Sequence, residues 1–228
     1  MMKAKWLYSE LPISLGELSQ LMKKNQYSES TGSGFLLSTS TSKKLVGKYI
    51  EKVILKNLVE DPFGEISEVE SINYYTCQFN WSDESHFMYI SEPPRSLKKF
   101  SNKLHSLTGL GLVLSELSVA PECWLRRIEE EADEVKIFQI SSYGIRTSLN
   151  STAKIVVSGK TDVREAFAEL VSDKRYLTDS IKFEAEFEGM TVKGELTKSG
   201  SCRLTSPNLS FVLEKLRASL EKSITHYY

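Results

Sequence analysis

The sequence predicts an α+β protein of mainly antiparallel sheets with helices packed on one face, and three observations carry that prediction. A strict apolar-polar alternation runs over residues 181–196. Aromatic and β-branched segments flank a polar turn between Ile72 and Ile90, and apolar residues recur at helical spacing in several capped stretches. With 228 residues, 40% apolar and 26% charged, the chain has the balance of an ordinary globular protein and suffices for one large domain or two small ones.

Ser14 starts the first helix: Glu17 completes a capping box, and Leu15, Leu18, Leu21 and Met22 share one face as far as Asn25. Residues 27–42 are rich in Ser, Thr and Gly and read as a loop holding at most one short strand. From Ser42 onward Leu45, Val46, Tyr49, Ile50, Val53, Ile54 and Leu58 recur at helical spacing, opposite Lys44, Lys48, Glu51, Lys52 and Lys56. This predicts a helix that Asp61, Pro62 and Gly64 end. Residues 72–81 and 87–90 follow as a hairpin around the polar run 82–86, and Pro93 and Pro94 close it. Residues 96–107 read as a helix with Leu97, Phe100, Leu104 and Leu107 inward. Gly109 and Gly111 stop it before a strand over 112–119.

Pro121 opens a connecting helix that runs through Glu131. Residues 135–140 and 155–158 are strand-like, and Asp162 caps a helix bearing Val163, Phe167, Leu170 and Val171 on its buried side. Ile181, Phe183, Ala185 and Phe187 then alternate with Lys182, Glu184, Glu186 and Glu188. After the Gly189 turn, Met190, Val192 and Leu196 continue the alternation, and a second turn at Ser199 and Gly200 leads into Cys202 and Leu204. Ser206 and Pro207 start a last helix, packed through Leu209, Phe211, Leu213, Leu216 and Leu220.

The expected division is an α+β lobe over residues 1–120, a connecting helix over 121–133 and a second α+β lobe over 134–228. Laying residues 88–104 over 155–171 matches Met88, Tyr89 and Ile90 to Ile155, Val156 and Val157, and Phe100 to Phe167; a duplication of this kind would make the lobes similar. The order helix, three-strand meander, helix in the C-terminal part resembles in outline half of the saddle of the TATA-binding proteins. The likeness is one of topology, without a shared motif, and supplies no function.

Charge narrows the function classes. Lys and Arg number 29 against 30 Asp and Glu, so broad electrostatic capture of DNA is not expected. Cys77, Cys123 and Cys202 are odd in number and lack a CxxC spacing, which argues against a disulfide framework or a structural zinc site and for a reducing compartment. Residues 1–11 lack the apolar core of a signal peptide and no apolar run approaches a membrane span, so a cytoplasmic protein without membrane contact is expected.

No convergent catalytic set is legible. His86, His105 and His226 lack a second metal ligand at i+3 or i+4, and Cys77 has no paired base in its sequence context. Gly32, Ser33, Gly34 and Phe35 lack the Gly-Lys-Ser/Thr of a phosphate loop. Glu122, Glu134 and Lys136 are the nearest approach to a metal-dependent nuclease set, with a helix intervening where that core needs a strand. No cofactor is expected.

The charge pattern is more telling. Between Lys56 and Arg95 there is no Lys or Arg, while eight acids fall there among Tyr74, Tyr75, Trp81 and Tyr89. The expectation is therefore a non-catalytic binding or assembly module, an adaptor or a subunit of a complex. It would meet a protein partner or another copy of itself through Glu65, Glu68, Glu70, Tyr74, Trp81, Asp83 and Glu84. The alternative is a nucleic-acid-associated factor or nuclease gripping phosphate through Lys43, Lys44, Lys98, Lys99 and Lys103.

Overall fold

The computed structural model describes residues 1–148, 151–172 and 174–224, with five helices and eleven mostly antiparallel strands among them, a mixed α/β protein dominated by sheet. Contacts gather the chain into two compact bodies. One comprises residues 8–114, the other residues 1–7 together with 115–228.

In the body of residues 8–114, the end of β1 (Met2–Glu10) leads to α1 (Leu15–Lys24), and the Ser14 capping box forms as its sequence dictates, Ser14 Oγ accepting from Glu17 N at 3.2 Å. The sheet that follows runs β2 (Ser33–Ser40), β3 (Lys44–Glu60), β4 (Ile66–Ser82), β5 (Phe87–Ser91) in spatial order. Helix α2 (Lys98–Thr108) comes next. Phe35, Leu45, Tyr49, Cys77, Phe79, Trp81 and Ile90 form the core face, meeting α2 through Phe100, whose ring lies 5.4 Å from Phe79. Leu15, Leu18 and Met22 of α1 are buried with them.

The helix expected from Ser42 to Leu58 is instead β3, a strand of 17 residues paired along its whole length with β4. Residues four apart share a face in a helix and also in a strand, because four is a multiple of the strand period, so the spacing could not separate the two. Val46, Ile50, Val53 and Ile54, β-branched, then favour the pleated surface once β4 supplies a partner. Gly47 is required by the pairing of β3 with β2 on its other side: a Cβ there would stand 2.6 Å from Leu36 O, beside the register shift between Leu37 and Thr39.

Strand β6 (Val113–Glu116) lies where the chain passes from one body to the other. The second body contains α3 (Pro121–Glu129), β7 (Glu134–Ser148), β8 (Ser151–Ser158), α4 (Arg164–Val171), β9 (Leu177–Phe187), β10 (Met190–Thr197), β11 (Ser201–Thr205) and α5 (Leu209–Ile224). Its strands run β1, β11, β10, β9, β7, β8. The alternation behaves as read: Ile181, Phe183, Ala185, Phe187, Val192, Leu196, Cys202 and Leu204 are buried. Trp124 of α3 meets Trp6 edge-on at 5.5 Å and donates its indole N–H to Leu216 O of α5. The cap position of α4 is Val163, without a side-chain cap bond, rather than the expected Asp162, which instead anchors the turn before the helix by accepting from Arg164 N through Oδ1 and from Ile137 N through Oδ2; Leu170, expected inside, is exposed.

Candidate functional site

The β3–β4 ribbon changes character halfway along. Near its base Leu45 opposes Trp81 and Tyr49 opposes Cys77, all buried; beyond Val53 and Asn73 every residue but Ser71 is exposed. This outer half is closed by Asp61, whose Oδ1 accepts from Phe63 N at 2.8 Å and Glu65 N at 2.9 Å, while Asp61 N donates to Glu65 O.

Odd-numbered residues of β3 continue the core face outward as Leu55, Asn57 and Val59, opposite Ser71, Val69 and Ser67. Even-numbered residues continue the other face as Ile54 opposite Ile72, Lys56 opposite Glu70, Leu58 opposite Glu68 and Glu60 opposite Ile66. Aliphatic side chains thus stand on both faces. Phe63 is 92% exposed, Leu58 72%, Ile66 67%, and Ile54 and Ile72 54% each.

The expected acidic residues sit in and beside this ribbon. Glu68 and Glu70 flank Lys56 at 2.7 and 3.0 Å, and these hydrogen bonds raise the lysine above its ordinary value. Glu65 closes the tip, and Tyr74 lies half exposed on the even face opposite Lys52. Asp83 and Glu84 occupy the next turn, Glu84 at 4.0 Å from Lys43. Trp81 stands apart from the rest: only 2% exposed, it belongs to the core face.

Of the basic residues, Lys99 donates to Glu51 at 2.6 Å and lies 5.8 Å from the Tyr75 ring centre, and Lys103 reaches Asn25 Oδ1 at 3.3 Å. Burial pushes the Glu51 carboxyl up, but hydrogen bonds from Lys99 and Tyr49 outweigh it and hold it below the ordinary range. Lys43, Lys44 and Lys98 are exposed.

On the even face at the ribbon's base, Leu36, Leu37, Val46, Lys48 and Tyr89 line a trough of about 300 Å³. Gln78 and Asn80 form its floor, Asn80 donating to Tyr89 Oη at 2.8 Å. No ion pair holds Lys48 among the described residues. The two glycines of residues 32–34 serve the backbone: a Cβ on Gly34 would stand 2.4 Å from Tyr27 N, where residues 25–27 run beside β2, and Gly32 holds a left-handed conformation with φ 63°.

The nuclease residues disperse into separate partnerships. Thr178 Oγ1 donates to Glu122 Oε1 at 3.2 Å, whereas Lys136 and Glu134 pair at 3.0 Å. Among the described residues no three His, Cys, Asp or Glu gather as a metal centre requires. Burial in the core pushes the Cys77 thiol up to about 12. His86 stacks on Tyr8, His105 bonds back to Ser101 O within its helix, and His226 lies outside the described residues.

Sequence reasoning named the acids of the ribbon but not Ile54, Leu58, Phe63, Ile66 and Ile72. Their signal was the aliphatic residues on consecutive positions, which a strand can place only on two faces. No helix of the described residues is long and apolar enough to cross a membrane. Comparison with protein-family models and with curated proteins returns no match.

Proposed function

We propose that this chain is a non-catalytic binding or assembly module, an adaptor or a subunit of a larger complex, and that the outer half of the β3–β4 ribbon is its contact element. The observation carrying this reading is the exposure of Ile54, Leu58, Phe63, Ile66 and Ile72 along one two-stranded ribbon. A strand with aliphatic residues on both faces has the composition of one covered from both sides. A two-stranded ribbon alone is marginal in water, and a contiguous apolar surface of this kind marks an interaction site.

Glu60, Asp61, Glu65, Glu68 and Glu70 surround the apolar residues and supply the rim that steers encounter. The same acids oppose the nucleic-acid alternative, because only Lys56 stands among them and both of its neighbours are carboxylates.

The test is a variant with Leu58→Ser, Phe63→Ser and Ile66→Ser, sized in gently lysed cells beside the wild type. The reading predicts that the wild type migrates in an assembly larger than the lone chain and that the variant migrates as the lone chain. A wild type at lone-chain size contradicts it.

A further inference from the structure

We infer that the partner of the ribbon is a second copy of this chain: two ribbons lie even face to even face in opposite directions about a twofold at Ile54 and Ile72, each tip resting in the other's trough. This rests on the assembly reading above and names its partner.

The register carries the argument. Along β3, Ile54 lies midway between Ile50 and Leu58, between Lys48 and Glu60, and between Val46 and Pro62. A twofold in the plane of the contact, across the strands at Ile54, therefore sets Ile54 on its own counterpart, Leu58 on Ile50 and Glu60 on Lys48. On β4 it sets Ile72 on its counterpart and Ile66 on Gln78. Apolar side chains meet apolar ones at the centre, and the unpaired cation of the trough meets an acid of the tip. Lys52 falls on Lys56, and both already have acids, Glu29 at 3.8 Å and Glu68 at 2.7 Å.

Phe63 supplies the anchor. It is the most exposed aromatic ring at the tip, and the same operation, which sets Pro62 on Val46, carries it past Glu60 to the Val46 end of the trough. The acids of the tip, Asp61 and Glu65, then approach Lys43 and Lys44, exposed at the base of the same ribbon.

The size is adequate for a reversible dimer. With the twofold at Ile54 and Ile72 the strands overlap over residues 48–60 and 66–78, which at about 3.3 Å per residue and about 4.8 Å between strands is a face of roughly 400 Å², so two copies remove roughly 800 Å² from water through the strands, with the tips adding to it, the size of a weak, transient contact. Association should accordingly depend on concentration and weaken in salt.

Light scattering and sedimentation of the purified full chain across concentration test the pairing, together with a charge exchange. The wild type is expected to dimerise reversibly. Lys48→Glu and Glu60→Lys should each weaken the dimer roughly tenfold, because the twofold repeats the contact, and the double exchange should restore it. Ile54→Cys, with Cys123→Ser, should give a dimer with a short bis-maleimide, and Lys193→Cys should not. A purified wild type that stays a lone chain at every concentration overturns the twofold pairing. So does a dimer indifferent to both charge reversals and silent at position 54. If cell extracts still show a larger, ribbon-dependent assembly, the assembly reading survives with a different partner; lone chains in both settings sink both.

Discussion

The β9–β10–β11 meander and the outer β3–β4 ribbon are both antiparallel, both rich in apolar residues and both dense in charge, yet they use their side chains in opposite ways. In the meander Ile181, Phe183, Ala185, Phe187, Val192, Leu196, Cys202 and Leu204 are buried as the alternation places them, while on the other face Lys193 meets Glu184 at 2.8 Å and Arg203 meets Glu195 at 3.4 Å. In the ribbon the aliphatic residues divide between two faces and remain in water. The difference teaches that strict alternation marks a sheet finished within the chain, whereas aliphatic residues on both faces of an uncovered ribbon mark one completed by something else.

The largest effect that could break this contrast is on stability. Phe183→Ala in the meander should cost about 3–5 kcal/mol by loss of buried area and cavity formation, whereas Leu58→Ala in the ribbon should change the stability of the lone chain by less than about 0.5 kcal/mol. Urea unfolding measures both. Equal losses would mean that the ribbon is already packed.

Gly47→Ala should come next, destabilising by about 1–3 kcal/mol because Leu36 O leaves no room for a Cβ at that crossing of β2 and β3. Urea unfolding reads it directly, and a neutral result would show that the base of the ribbon yields. Asp61→Ala should cost about 1 kcal/mol or less, since it removes one turn acceptor from an exposed tip; faster amide exchange at Phe63 and Glu65 would report it.

How much of this was legible depends on which physical signal each segment carries. The Ser14 capping box, the helix around Phe100 and the whole meander could be read because cap chemistry and one-sided alternation each have a single structural solution. β3 could not, because Leu45, Tyr49 and Val53 satisfy helix and strand alike, and only the partner β4, distant in sequence, decides. β1 carries a weak signal, because Ala4 and Trp6 alternate with Lys3 and Lys5 over too few residues before Leu7, also buried, interrupts the pattern. At the candidate site the acids are visible as a charge run, but the exposure of Leu58 and Phe63 arises because, among the described residues, nothing covers the faces of the outer ribbon, which no local pattern records. Trp81, grouped with the surface by its neighbours in sequence, belongs to the core by its parity with Phe79 and Cys77.

The smallest effect concerns pH and sharpens the comparison from the side of the second body. A hydrogen bond from Lys222 lowers the Glu131 carboxyl, burial opposes it, and Lys215 adds to the lowering. A carboxyl lowered by folding contributes stability that is complete above its ordinary value of 4.5 and is lost as pH falls through the folded value. Glu131→Gln should therefore flatten the acid limb of the stability curve below pH 4.5 and leave the neutral region's pH dependence unchanged. An unchanged acid limb would show that the clamp between Glu131 and α5 does not hold in solution.

The most direct test places a photo-crosslinking amino acid at position 58 in the ribbon and, in a separate protein, at position 193 on the outer face of the meander, both expressed in living cells. The ribbon position is predicted to yield a discrete crosslinked product and the meander position none. A silent ribbon, or a product from the meander alone, would contradict the assignment of the ribbon as the contact element.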